Sequence, residues 1–148
     1  MSSPQTDAER GAHTAGLTFD ALREANLARL PQFKNARGEP AHSEPDGSDW
    51  SLSAWSNAVL GELGEAANLI KKIERGDLTL DEARPALAKE FADVATYLDI
   101  LAYRAGVDLG DATVAKWNEV SARVGCALRL PVRVAKASPP VLSTTGEG

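Results

Sequence analysis

Two acidic pairs stand out along the chain, Glu62-x-x-Glu65 and Glu90-x-x-Asp93, with 24 residues between them. Carboxylates spaced i, i+3 on a helix share one strip of its surface. Two such pairs brought together would put four negative charges in one groove, and a partly desolvated groove tolerates them only with compensation. A hard divalent cation supplies it. Mg²⁺ takes carboxylate oxygens at roughly 2.0–2.1 Å and keeps waters that phosphate oxygens can replace. The chemistry open to this set is metal-assisted handling of phosphates.

Other site chemistries have less support. A di-iron carboxylate bundle uses Glu-x-x-His on two helices, and neither His13 nor His42 follows that pattern. Cys126 is the single cysteine, so no Cys/His set suits zinc and no intrachain disulfide can form. There is no Gly-x-x-x-x-Gly-Lys-Ser/Thr loop and no Gly-x-Gly-x-x-Gly. Nothing supports a Ser/His/Asp nucleophile.

Helices must position the acids. With Glu62 at zero on a helical wheel, Trp55, Val59, Ala66, Ile70 and Ile73 fall between roughly 20° and 80°. Glu62 sits at the edge of that apolar stripe, and Glu65 lies roughly 60° beyond it. With Glu90 at zero, Leu87, Phe91, Val94, Leu98 and Leu101 fall between roughly 20° and 100°, and Asp93 again lies roughly 60° beyond the edge. Both helices carry the same device on the same side. Packed antiparallel through their stripes, as a short connection favours, they would let the acids converge. The competing reading is ordinary solvated acids flanking a core.

The surrounding sequence supplies the helices. One is expected from near Thr18 to about Leu30, ahead of Pro31. Ser51 reads as an N-cap for a helix from Leu52 to Arg75 stopped by Gly76. Thr79 and Glu82 form a capping box that opens a short segment, with Pro85 in the first turn of a further helix to Ala105. A last helix is expected from Gly110 or Asp111 to Gly125. Hardly any stretch alternates with period two, so the fold class is all-α. The 148 residues suit one domain with a core burying roughly 70% of its unfolded surface. The division expected is a flexible N-terminus over 1–16, a domain over 17–125 with a long polar loop over 31–50, and an extended or disordered tail over 126–148. That loop reads as a lid or binding loop, or as a disordered insertion.

Composition narrows the partners. Net charge is −5, with 21 acidic and 16 basic residues, which argues against general duplex-DNA binding. No run of 18 apolar residues predicts a membrane span, no signal-peptide pattern opens the chain, and sparse cysteine fits a cytoplasmic setting.

Residues 49–125, with "DWSLSAWSNAVLGELGEAANLIKK" and "KEFADVATYLDILAYRAGVDLGDATVAKWNEVSARVG", resemble the MazG-like all-α nucleoside triphosphate pyrophosphohydrolases, whose signature is two acidic pairs at this spacing. Gly61 stands where fuller forms of that signature carry an additional acid. The resemblance implies a helical bundle with a four-helix core, assembled as a homodimer or homotetramer. It implies cleavage of a nucleoside triphosphate between the α and β phosphates to a monophosphate and pyrophosphate. Glu62, Glu65, Glu90 and Asp93 would be the catalytic, metal-binding set for Mg²⁺, with Mn²⁺ as a substitute. Lys116 and Asn118 in "KWN" would meet the phosphates, as would Lys72. Trp50, Asn57 and Trp55 would meet the base, although Trp55 also lies on the apolar stripe and reads more readily as core. The overall look leans toward phage-type, MazZ-like members, hence toward a purine, (d)GTP, and a host-cytoplasm location if phage-encoded. Hydrolysis of another dNTP as house-cleaning, and an inactive helical oligomerisation or interaction protein, are the alternatives.

Overall fold

The computed structural model describes residues 16–132. The N-terminal 1–15 and the tail beyond 132, including Arg133 and Lys136, lie outside them. Among the described residues the regular structure is helical: α1 (Phe19–Arg29), a 3₁₀ turn (Leu30–Gln32), α2 (Leu52–Glu74), α3 (Leu80–Arg104) and α4 (Leu109–Arg123). The fold class is all-α, as the periodicity predicts. No helix among them is long and apolar enough to cross a membrane.

Each start has a local cause. The hydroxyls of Thr18 and Ser51 accept the backbone N–H of Ala21 and Ala54, both at 3.1 Å. These bonds satisfy donors that a helix N-terminus otherwise leaves open. Thr79 and Glu82 form a reciprocal box: the Thr79 N–H donates to the Glu82 carboxylate at 2.7 Å, and the Glu82 N–H donates to the Thr79 hydroxyl at 3.2 Å. Gly76 closes the α2 turn at φ 79°, a conformation a Cβ disfavours.

One boundary differs from expectation. Pro85 does not begin a new helix; α3 runs continuously from Leu80 to Arg104 with Pro85 inside. Proline there removes the one N–H that would reach the Asp81 carbonyl. The capping box has already nucleated the helix upstream, so the loss falls near its end and is absorbed. The last helix also begins at Leu109, slightly before the predicted Gly110 or Asp111.

By contacts the chain divides after Gly110 into two compact units. In the first, α2 and α3 form an antiparallel hairpin. Trp55 near the start of α2 packs with Ile100 near the end of α3, and Leu30 joins them. Toward the other end, Ala66 of α2 packs with Ala83 and Leu87 of α3. Burial of these apolar side chains drives the pairing.

The stripes seen on the wheels are only partly covered. Ile70, Phe91 and Leu98 remain exposed, and Leu60 and Leu63 join them outside the core. Meanwhile α3 buries a second side, which carries Asp99 and Ile100. There α1 crosses it, held by polar contacts. Asp99 is 1% exposed and receives the Arg23 guanidinium at 2.9 Å and the Asn26 amide N–H at 3.0 Å. The Arg23 guanidinium also lies 4.9 Å from the Tyr103 ring centroid.

The segment between α1 and α2 is built by its own hydrogen bonds. The Asn35 carbonyl oxygen of the side chain accepts from the N–H groups of Arg37 and Glu39. Asp49 accepts the Ser43 N–H at 2.7 Å, and the Trp55 indole N–H donates to the Gly47 carbonyl at 3.0 Å. Thus the polar loop is tied to α2 through Trp55.

In the second unit, Asn118 closes a ring of its own. Its amide N–H₂ donates to the Leu130 carbonyl at 3.0 Å and its oxygen accepts the Leu130 N–H at 2.8 Å. Residues 126–132 have no helix or strand.

Candidate functional site

The antiparallel hairpin brings the edges of its two stripes together. Glu62 of α2 and Glu90 and Asp93 of α3 each place a carboxylate oxygen within 4.8 Å of the others. A set this close could hold a metal ion between its carboxylates. The donors are all carboxylates, the class a hard cation takes. Glu65 is exposed and stands outside this close trio.

The charges bear on one another. Partial burial is the main reason the Glu62 carboxyl titrates above its ordinary value. The charges of Asp93, Glu65 and Glu90 follow, and a hydrogen bond to Glu90 adds to the effect. Each favours the protonated form, as expected where acids crowd. Glu65 therefore acts on the trio electrostatically without belonging to it. The Tyr97 hydroxyl is also pushed up, first by burial and then by Glu62 and Asp93, with Arg29 opposing.

Beside the trio is a cavity of about 200 Å³. Glu62 and Asp93 line it. Helix α3 adds Thr96, Tyr97 and Ile100, which share a strip with Asp93 at i+3, i+4 and i+7. Helix α1 contributes Asn26 and Arg29, and the loop contributes Phe33 and His42. The rings form a connected set. Trp50 and Trp55 have centroids 4.8 Å apart, and Trp55 and Tyr97 are 6.1 Å apart. His42 lies between Phe33 and Trp50, at 4.8 and 4.5 Å.

The residues expected at the base divide. Trp55 lines the cavity yet is fully buried, so it is both core and wall. Trp50 reaches the cavity rings by packing on His42 and Trp55 without lining the space itself. Asn57 is exposed on α2 and does not line the cavity. Of the residues expected at phosphate, Lys72 is exposed on α2, also away from the lining. Lys116 and Asn118 belong to the second unit. There Lys116 pairs with Glu119 at 2.6 Å, and the Asn118 amide is engaged by Leu130.

Sequence reasoning passed over Asn26, Arg29, Phe33, His42 and Tyr97. One signal was available. Aromatic residues make up only 5% of the chain, yet Phe33, Trp50 and Trp55 cluster around one polar loop. Rings concentrated in a segment with little other apolar content point to a wall built for something. Arg29 is the cation of the cavity wall; its guanidinium sits 5.7 Å from the Phe33 ring centroid and donates to the Asn26 amide oxygen at 3.5 Å. The chain matches no family model, and neither the curated proteins nor the solved structures provide a match.

Proposed function

We propose that the protein is a metal-dependent nucleoside triphosphate pyrophosphohydrolase, cleaving between the α and β phosphates to give a monophosphate and pyrophosphate. The observation that carries the reading is the carboxylate trio of Glu62, Glu90 and Asp93 opening beside a cavity walled by aromatic rings. Acids suit a cation that bridges to polyphosphate, and rings suit a flat base. The resemblance of residues 49–125 to the MazG-like pyrophosphohydrolases supports the same reading, including its lean toward a purine such as (d)GTP.

Glu62, Glu90 and Asp93 would hold Mg²⁺, or Mn²⁺ in its place, with Glu65 lending negative potential from outside the trio. When bound, the ion supplies neutralisation of phosphate charge and a water of lowered pKa. One of the acids orients the attacking water and takes its proton. Burial first, and then the neighbouring acids, make Glu62 hold a proton more tightly than an ordinary glutamate. Arg29, on the wall, offers a charge-assisted donor to a phosphate oxygen. Buried Trp55 fixes the wall, and the loop residues Phe33 and His42 complete it. Asp99, bound by Arg23 and Asn26, anchors α1 so that Arg29 and Asn26 stay at the cavity.

The exposed apolar side chains Leu60, Leu63, Phe91 and Leu98 on α2 and α3 support self-association into a dimer or tetramer. A non-catalytic bundle that uses this hairpin as a scaffold is the second reading, favoured by the same exposed strip.

The test is incubation of the purified protein with each common NTP and dNTP, in Mg²⁺ or in EDTA, with ion-exchange separation of products. Monophosphate and pyrophosphate in equal amounts, with metal only, are expected. A folded, metal-binding protein that releases no pyrophosphate from any of them would leave the scaffold reading.

A further inference from the structure

The polar groups of the cavity wall are mostly committed. The Asn26 amide donates to Asp99 and to the Thr96 carbonyl, and its oxygen accepts from Arg29. The Trp55 indole N–H is taken by Gly47. Glu62 and Asp93 belong to the carboxylate trio. His42 is different. Its ring is fixed between Phe33 and Trp50 and meets Trp55 edge-on at 6.1 Å, but no described protein group hydrogen-bonds its imidazole. Nor is either nitrogen sealed in the interior: among the described residues only Arg104 Nε is a buried side-chain polar atom without a partner. The imidazole nitrogens are therefore accessible, and His42 lines the cavity.

The backbone adds a second observation. His42 has φ 43° and is the one non-glycine among the described residues in the left-handed region. That conformation is uncommon for a residue with a Cβ and persists where surrounding contacts over-determine it. Here the contacts are the two flanking rings and the Ser43 N–H bond to Asp49 next along the chain. A phenylalanine would fill the same slot, so packing alone does not explain a ring with two hydrogen-bonding edges.

The cavity's size says what it takes. About 200 Å³ is below the roughly 300–1,000 Å³ of a site that swallows a drug-sized ligand. It suits one flat ring system, with the remainder of a nucleotide extending toward the carboxylates.

We propose that His42 is the specificity-determining residue of the site: its imidazole hydrogen-bonds the edge of the nucleobase and decides which base is accepted. This rests on the nucleotide reading above. In its neutral form imidazole offers one donor and one acceptor, so it distinguishes a ring nitrogen or carbonyl from an exocyclic amine. A site built to hydrogen-bond its ligand rejects analogues that leave the bond unmade far more strongly than an apolar slot does.

Two variants test it. His42→Phe keeps a ring between Phe33 and Trp50 and removes both nitrogens; His42→Asn tolerates the left-handed backbone and keeps a donor and an acceptor while removing the ring. For each, kcat/KM is measured across the four dNTPs. Separately, quenching of tryptophan fluorescence by the four free nucleosides is measured in EDTA, a readout that needs neither metal nor turnover. The expected result for H42F is at least a tenfold fall in the ratio between the best and next-best base. That fall should come through KM, with kcat on the disfavoured bases little changed. H42N is expected to change the order of preference, and it carries the test alone if H42F does not fold.

Ratios within twofold of wild type in a folded variant would overturn the proposal. If the wild type turns over no triphosphate, the hydrolase reading fails by itself and the quenching decides for His42. A base preference abolished in H42F would uphold its role. Unchanged preference, or no nucleoside binding at all, would overturn it.

Discussion

Glu62 on α2 and Glu90 on α3 hold carboxylate oxygens within 4.8 Å of each other across the helical hairpin, and a hydrogen bond between them favours the protonated form of Glu62. Two acids this close on a pair of packed helices work against the fold unless a proton or a cation lies between them. The first expectation concerns that tension. In EDTA at neutral pH, Glu62→Gln should melt no lower than wild type, and higher if repulsion outweighs the lost hydrogen bond. Saturating Mg²⁺ should raise the wild-type stability by about 2.7 kcal/mol at a hundredfold excess over its dissociation constant. Glu62→Gln should lose most of that response. Thermal melts of both proteins with and without metal check it.

The pH dependence follows from the direction of the Glu62 shift. Its carboxyl binds a proton more tightly folded than unfolded, chiefly because burial disfavours the charge. The folded state thus holds that proton where the unfolded chain has released it. This contribution to stability falls as pH rises from the ordinary value of 4.5, and levels off once Glu62 is ionised in both states. Denaturant titrations in EDTA over the mildly acidic range should show a smaller decline in Glu62→Gln than in wild type. Equal slopes would remove Glu62 as the source.

Glu65 should separate from the other three acids. Because it stands outside the close trio, Glu65→Gln should weaken Mn²⁺ binding by severalfold, while Glu90→Gln or Asp93→Asn should weaken it at least tenfold. Titration of bound Mn²⁺ by electron paramagnetic resonance reads both. Equal losses at all four positions would restore the full four-acid set.

The anchor of α1 gives a stability prediction. Asp99→Ala leaves the Arg23 guanidinium, only 20% exposed, without its carboxylate partner. A cost of about 3 kcal/mol is expected, since removing one member of a buried pair strands the other. Replacing both, as Arg23→Met with Asp99→Leu, should recover most of the stability. Urea unfolding of the single and double variants distinguishes a needed pair from a merely filled space.

Self-association follows from the exposed strip. Phe91 is 51% exposed on α3, and Leu60 and Leu63 are exposed on α2. Light scattering should find a dimer or tetramer, and Phe91→Lys should shift it toward monomer. A wild-type monomer at micromolar concentration would contradict this expectation.

Much of this architecture was legible in the residues. Ser51, Thr79 and Gly76 mark helix ends because their side chains, or lack of one, solve a local hydrogen-bonding or steric problem that needs no tertiary information. The edge position of Glu62 and Glu90 follows from periodicity alone, and the hairpin turns that edge into a seam. What was not legible depends on contacts between distant segments. Periodicity shows α3 with one apolar stripe, yet α3 buries two sides, because α1 docks through Arg23, Asn26 and Asp99 as well as through Leu27. Leu22, Ala25 and Arg29 give α1 a weak stripe for the same reason. His42 reads as a loop histidine until the loop's own bonds place it between two rings. Pro85 reads as a start because proline favours first turns, and only the strength of the Thr79–Glu82 cap shows that the helix had already begun.

The most direct test of the account is turnover in ¹⁸O-labelled water with mass analysis of the products. Attack at the α phosphorus with Mg²⁺ present predicts one ¹⁸O in the nucleoside monophosphate and none in pyrophosphate, with no reaction in EDTA or in Asp93→Asn. Label in pyrophosphate or orthophosphate, or label uptake that survives loss of Asp93, would contradict the assignment of the Glu62, Glu90 and Asp93 trio as the metal-holding centre of an α–β pyrophosphohydrolase.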